Sequence, residues 1–351
     1  MQKYIVYNPH PKIFKIPQIN IIEKLDFLSA YIIEVLDEDD EIIKKLCSNF
    51  SKLGSSSIET KISKAKKFIS VEKFYRQNIY GNGVSVVVID TGISHSLDFC
   101  VPKMRIKHFE DLVLLKKEPY DDNGHGTFVS GIIAGNGLLS CGEYAGVAPK
   151  CDLIVLKALN AKGEGDYESI LKAMQWVVKN KRKFNIRVVC MSFGSAVIEN
   201  NDALCVGANA LWNNGIVVVA AGGNDGPDYN TITSPGRANK IITVGALDSL
   251  DKVVEVAPFS SRGDASQRFV KPDILAPGTN IISTSHKLGE QNYTVMSGTS
   301  VATPIIAGVC VLFCQKYPHA TPDMIKSLLF KNAYDIGANK YCQGKGVFVY
   351  R

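Results

Sequence analysis

Five runs of apolar, largely β-branched residues recur along the chain, and they leave little freedom in what it can fold into. They are Val84–Ile89, Asp152–Leu156, Ile186–Met191, Ile216–Ala220 and Ile241–Val244. None alternates strictly between polar and apolar, so each predicts a strand buried on both faces, as in a parallel sheet. Stretches of helical spacing lie between them, at Thr127–Ala134, Tyr167–Asn180 and Asp202–Asn213. Strand and helix in alternation predict an α/β fold, a doubly wound, mainly parallel sheet with helices on both faces. Ligands in such sheets bind at the carboxyl ends of the strands, so chemistry is to be sought just after these runs.

The stretch Met296–Gly308, MSGTSVATPIIAG, is of another kind. Gly298 permits a tight, strained turn. Pro304 suits a first helical turn, where its missing N–H costs nothing. Ile305–Cys314 is almost wholly apolar and predicts a buried helix. Ser300 therefore stands at a helix N-terminus, where N–H groups and the dipole stabilise negative charge. A serine that attacks a carbonyl needs such surroundings, because the tetrahedral intermediate carries an oxyanion.

Composition narrows the class. The 351 residues are 46% hydrophobic, enough for a large core with an appendage or for two domains. The net charge of +6 is mild, and its local concentration, KISKAKK at Lys61–Lys67, has no interleaved aromatics. It reads as a solvated linker, and no nucleic-acid partner is expected. The nine cysteines show no paired spacing. Cys310 and Cys314, one helical turn apart, read as packed thiols, and no metal site is expected. The first residues lack the apolar stretch of a signal peptide, and no run reaches the roughly 18 apolar residues of a membrane span. A cytoplasmic protein with no membrane partner is the simplest expectation.

Residues 1–65 read differently from the rest. Lys3–Tyr7 and Leu28–Val35 predict strands, Asp37–Phe50 a helix with carboxylates at its positive end, and Ser56–Ile62 another strand. Lys61–Ser70 is polar and basic, suited to a linker. The expected division is an α+β segment with its linker over 1–65 and a main domain over 71–351.

Three further residues carry chemistry. Asp90 ends the run VVVID; any Asp-Thr-Gly could also be a turn or cap. His125 lies between glycines in DDNGHGTFVSG, at a helix start; a lone histidine is more often structural. Asn224 follows a buried run in VVVAAGGNDG, where its amide could donate to an oxyanion or simply take a left-handed turn.

Together these signals become sharp. The order Asp, His, Ser is one of the known chain orders of the serine-protease triad. The motifs VVVIDTGI, NGHGT, AAGGN and GTSVATP, with GVAP, FSSRG and KPDILAPG, resemble the subtilisin-like serine peptidases, the subtilase family, from about Asn78 to the C-terminus. EPYDDNGHGT and SPGRANKIITVGALD look most like the intracellular, AprX-like bacterial branch.

The resemblance implies an endopeptidase. Ser300 would be its nucleophile, His125 its general base and acid, and Asp90 the group that orients the imidazole. Asn224 and the Ser300 N–H would form the oxyanion hole. It also implies that Gly163-Glu164-Gly165 and Ser192-Phe193-Gly194 are edges pairing with an extended protein or peptide substrate. Gly236 would line the floor of a primary pocket for a large apolar residue, and Glu164 would favour a basic residue upstream. The N-terminal segment resembles a propeptide, a partner of the main domain until self-cleavage near Ser56–Val71.

Two departures from relatives, Phe128 and Val301, are core-type changes. Calcium is possible at Asp98, but Asn136–Ala145 lacks an evident ligand loop, so no required cofactor is expected. The alternative reading, a catalytically silent scaffold, needs a broken triad, and none of the four residues is missing. A nucleotide-binding protein fails because no phosphate-binding glycine motif follows the first run.

Overall fold

The structure is a computed structural model. It describes residues 2–7, 11, 15–17, 19–25, 30–35, 50–53, 61–195, 202–248, 254–264, 269–287, 289 and 291–351. The chain divides into two compact units, Met1–Ile58 and Glu59–Arg351.

The first unit holds strands β1 (Gln2–Tyr7), β2 (Ile19–Leu25), β3 (Ala30–Val35) and β4 (Phe50–Leu53) in one sheet of order β2-β3-β1-β4. Its pairings are antiparallel. The strands expected at Lys3–Tyr7 and Leu28–Val35 match β1 and β3. Strand β2 was not expected. A register shift between Ile21 and Glu23 breaks the two-residue period by which it would be recognised. The helix expected over Asp37–Phe50 lies outside the described residues, except for Phe50, which begins β4.

The second unit carries the predicted α/β architecture. Its strands are β5 (Ser85–Asp90), β6 (Ile106–Asp111), β7 (Asp152–Lys157), β8 (Ile186–Met191), β9 (Val217–Ala221), β10 (Ile242–Leu247) and β11 (Ile274–Pro277). A hairpin, β12 (Ile281–Thr284) and β13 (Tyr293–Met296), stands apart, and short strands β14 (Ala333–Tyr334) and β15 (Val347–Phe348) close one edge. The nine-stranded order is β14-β15-β11-β10-β9-β8-β5-β7-β6, parallel throughout except for β14. Every residue of β5, β9 and β10 is buried, which explains their uninterrupted apolar runs. Strand β6 escaped notice because IKHFED is only half-buried and mixes charge with apolar residues.

Among the described residues, helices of eight residues or more are α1 (Lys61–Phe68), α2 (His125–Ala134), α3 (Tyr167–Asn180), α4 (Ala203–Asn213), α5 (Thr299–Lys316) and α6 (Pro322–Lys331). In α3, Ile170, Ala173, Met174 and Val177 form the buried stripe, and the Asp166 carboxylate caps the start by accepting from Ser169 N–H at 2.7 Å.

Three expectations need correction. Lys61–Ser70 is no linker and Lys61–Ile62 no strand end: α1 occupies them, and Ile62, Ala65 and Ile69 are buried in the core of the second unit. Their spacing of three and four residues makes an apolar stripe that the surrounding lysines mask. Pro304 lies in the second turn of α5, not the first, so it has no N–H to give the Ser300 carbonyl. Finally, α5 is, among the described residues, the one helix long and apolar enough to cross a membrane. Most of it is buried inside the protein, where it packs against the central strands. It is a core helix whose apolar surround is the sheet and helix α2.

Candidate active site

Asp90 is the last residue of β5, and it is fully buried. Its Oδ1 accepts from the Thr91 N–H at 2.8 Å and lies 2.8 Å from His125 Nδ1. His125 is the first residue of α2. The preceding residue, Gly124, has φ of 104°, and a Cβ there would run into the His286 ring, so only glycine fits. A glycine cap leaves the N-terminal N–H groups of α2 without a local acceptor. Others supply them: His125 N–H donates to Asn123 Oδ1 (3.1 Å), Gly126 N–H to Thr91 Oγ1 (2.9 Å) and Thr127 N–H to Asp121 Oδ2 (2.8 Å).

Asp121 also accepts from Thr91 Oγ1 at 2.9 Å, Gly124 N–H at 2.8 Å and Thr127 Oγ1 at 2.6 Å. Burial pushes its carboxyl up, but these donors, Thr127 foremost, hold it below the usual carboxylate range. The aspartate thus clamps the exit of β5 to the start of α2 and fixes Asp90 against His125.

Burial alone would lower the pKa of His125. The Asp90 charge and hydrogen bond, helped by the Asp121 charge, outweigh it and hold the imidazole above its ordinary value.

Ser300 is the second residue of α5 and lines a cleft of about 440 Å³ together with His125 and Asn224. Thr299 N–H and Oγ1 donate to Asn224 Oδ1 at 2.9 and 3.0 Å, and Gly223 N–H donates to Thr299 Oγ1 at 3.1 Å. With Oδ1 taken by an obligate donor, the amide orientation is set, and Nδ2 faces the cleft. A Cβ at Gly298 would stand 3.1 Å from Ser300 Oγ and 3.3 Å from Asn224 Nδ2, at a φ of 154°. Glycine there keeps free the space between nucleophile and amide. The Ser300 N–H finds no acceptor among the described residues, so it stays available to a developing negative charge.

Gly163, Ser192, Phe193 and Gly194 line the same cleft. Glu164 and Gly165 join Gly163, Phe193 and Gly194 around an adjoining cavity of about 300 Å³, walled by Tyr167, Ile170 and Leu204. Gly236 does not line the cleft. It is buried behind it, where a Cβ would meet the Ala221 carbonyl and, at 2.9 Å, that of Thr233. Ala221, Gly223 and Thr233 line the cleft, and Gly236 is not at its floor as expected. Phe128 and Val301 are buried in the core, as expected of core-type changes.

Sequence reasoning missed four residues that build this site: Thr91, Asp121, Thr299 and Lys157. Asp121 was findable, as a carboxylate just before a helix that starts on glycine. Lys157 was findable only as a charge ending a buried run. Its ammonium is fully buried, and it donates to Thr91 O (2.6 Å), Asp122 Oδ1 (2.7 Å) and Leu159 O (3.0 Å). It thereby ties together three segments that border the cleft.

The arrangement can raise the basicity of an imidazole beside a serine and offer two N–H donors to an oxyanion. A model of the subtilase family matches residues 81–346. The chain belongs to the subtilase family. This subtilase is 43% identical over 282 residues to serine protease AprX of Bacillus subtilis (strain 168), covering 74% of this chain and 63% of that protein. It is 34% identical over 283 residues to subtilisin DY of Bacillus licheniformis, covering 80% of this chain and 93% of that one. It therefore spans less than two thirds of AprX but nearly all of subtilisin DY. Among solved structures, a cold-adapted subtilisin-like serine proteinase superposes with a TM-score of 0.62 at 30% identity, over 78% of this chain and 89% of that one. Sphericase superposes with a TM-score of 0.66 at 27% identity, over 78% and 97%.

Because the Asp90 carboxylate favours the imidazolium, Asp90→Asn is expected to lower the pKa of His125. An NMR titration of the His125 ring should then show its midpoint moving to lower pH. A midpoint that stays in place or rises would contradict the assigned pairing.

Proposed function

We propose that this subtilase is a serine endopeptidase that works through an acyl-enzyme. The observation that carries the reading is the buried Asp90 carboxylate bound to His125 Nδ1 on the same cleft as Ser300. His125, neutral above its raised pKa, takes the Ser300 proton as Oγ attacks the peptide carbonyl. The oxyanion that forms lies against the Ser300 N–H and Asn224 Nδ2. The imidazolium, stabilised by Asp90, then gives its proton to the leaving amine, and water repeats the sequence on the ester. The substrate is a general protein or a dedicated precursor, bound extended between Gly163–Gly165 and Ser192–Gly194. The small side chains at Ala221 and Gly223 leave room for a large apolar residue before the cut. Glu164, exposed on the first edge, would favour a basic residue further upstream.

The N-terminal unit fits a propeptide, made with a bacterial enzyme that processes itself in the cytoplasm. The bacterial source of AprX supports the first part of that setting, and the free thiols, Cys141 exposed among them, support the second. Helix α1 refines where such a cut falls. Cleavage beyond Lys61 would strip Ile62 or Ala65 from the core, so the cut lies between Leu53 and Lys61. The purified protein should lose a mass matching roughly the first 53 to 60 residues, while Ser300→Ala stays full length. Equal processing of both would assign the cut to another protease. Loss reaching into α1 would overturn the refined position.

Asn224→Ala should keep substrate binding and lose turnover by about 10²–10³-fold, read as kcat at little-changed KM. Unchanged kcat would remove Asn224 from the oxyanion hole.

We propose no calcium requirement at Asp98. Its carboxylate accepts from Tyr293 Oη (2.7 Å), Leu139 N–H (3.2 Å) and Thr284 Oγ1 (3.4 Å), a set of hydrogen donors rather than cation-facing oxygens. Melting in calcium and in chelator should give the same Tm, and a strong rise with calcium would refute this.

A further inference from the structure

One surface bordering the cleft is closely braced yet unused by the chemistry above. Asp111, at the end of β6, is almost fully buried. Its Oδ1 accepts from the N–H groups of Val113 and Leu114, both at 2.9 Å. Its Oδ2 accepts from the Lys116 N–H at 3.1 Å and the Tyr120 hydroxyl at 2.7 Å. Four donors on one carboxylate hold residues 112–116 as a rigid loop. What this loop displays is apolar: Leu114 is 57% exposed and Leu115 79%. Leu115 also has φ of 59°, a left-handed conformation that leucine seldom takes. A scattered surface leucine needs no explanation, but two on a braced loop do.

Val113 and Leu114 face a groove of about 300 Å³ whose far wall is Asn160, Ala161, Lys162 and Glu164. That wall is itself braced. Asn160 N–H donates to the Glu164 carbonyl at 2.8 Å, and Asn160 Oδ1 accepts from Lys162 and Glu164 N–H at 2.8 and 3.1 Å. At the base, the Lys157–Asp122 pair, 2.7 Å apart, neutralises its own charge. The groove is continuous with the substrate site, because Lys162 also lines the main cleft and Glu164 the adjoining cavity. Residues 160–164 are thus a ridge, with the substrate cleft on one side and this groove on the other.

We propose that the groove is an additional substrate subsite that takes an apolar side chain upstream of the scissile bond. The proposal rests on the endopeptidase reading above. Side chains of an extended substrate project alternately to opposite sides. Those on one side enter the cleft and the adjoining cavity. One on the other side crosses the ridge and packs between Leu114 and the ridge. The loop is presented ready-made, so the substrate side chain gains apolar burial without the entropy of ordering a flexible wall.

The test uses the full processed enzyme and fluorogenic peptides with a fixed leucine before the cut. Each of the next four upstream positions is varied among Gly, Leu, Phe and Asp. The wild type should prefer Leu or Phe over Gly by about ten-fold in kcat/KM at one position that the two inner cavities do not govern. In Leu114→Ser that preference should collapse to near one, with kcat/KM for the Gly peptide unchanged. Leu114→Asp should turn the preference against Leu and Phe. Leu114 is exposed and contributes nothing to the triad, so these variants keep the fold and the chemistry. An identical preference in Leu114→Ser, or a wild type that cleaves with no such preference, overturns the subsite and leaves the endopeptidase reading intact. A wild type that cleaves none of the peptides overturns both.

Discussion

The first turn of an α-helix exposes N–H groups that the helix cannot satisfy, and the active cleft depends on how two such turns are treated. At α2 each early N–H has a side-chain acceptor: Asn123 for His125, Thr91 for Gly126 and Asp121 for Thr127. At α5 the Thr299 N–H is taken by Asn224, while that of Ser300 is left open. In the proposed mechanism the saturated turn anchors the proton carrier, and the unsaturated turn keeps one donor for a charge that exists only during reaction. The opposite treatment follows from chemistry, since a base must be held still and an oxyanion must be awaited.

The parallel sheet makes this pairing possible. Asp90 and Asn224 follow β5 and β9 at their carboxyl ends, where doubly wound sheets place their sites. Between those strands lies β8, whose exit supplies Ser192–Gly194. Order in the sheet therefore spaces Asp90, Ser192–Gly194 and Asn224 across one row, as the proposed mechanism requires of them. Strand ends alone would be too loose for catalysis, which tolerates little displacement. Lys157 and Asp121 remove that slack. Each is buried, each binds several segments, and each is compensated by enough partners to offset its desolvation.

What was legible in the sequence was local. Continuous apolar runs match β5, β7, β8 and β9 nearly to the residue and the first half of β10, and the helical stretch over Tyr167–Asn180 matches α3. Asp90, His125, Asn224 and Ser300 were legible because each sits in a glycine-bearing motif that makes sense only at a strand end or helix start. The failures have physical causes as well. Lysines hid the buried stripe of α1, a register shift hid β2, and half-burial hid β6. Lys157 binds residues 66 and 35 positions away in the chain, and no window along the sequence shows such a partner. Gly236 is expected at the pocket floor because motif resemblance gives neighbourhood but not facing. Its missing Cβ makes room for the Ala221 carbonyl, so it shapes the cleft at one remove.

The burial of α5 completes the argument. Its composition would suit a lipid bilayer, yet its surround is helix α2 and the packed face of β8, β9, β10 and β11. That packing buries Thr299 and every residue from Val301 to Cys314, and leaves Ser300 and the last two residues, Gln315 and Lys316, partly exposed. The positive end of its dipole therefore borders the cleft at Ser300. Gly298 then decides what meets that field. With no Cβ, it leaves the Ser300 and Asn224 side chains facing one another across a gap, and the gap has the place and the donors that an oxyanion requires.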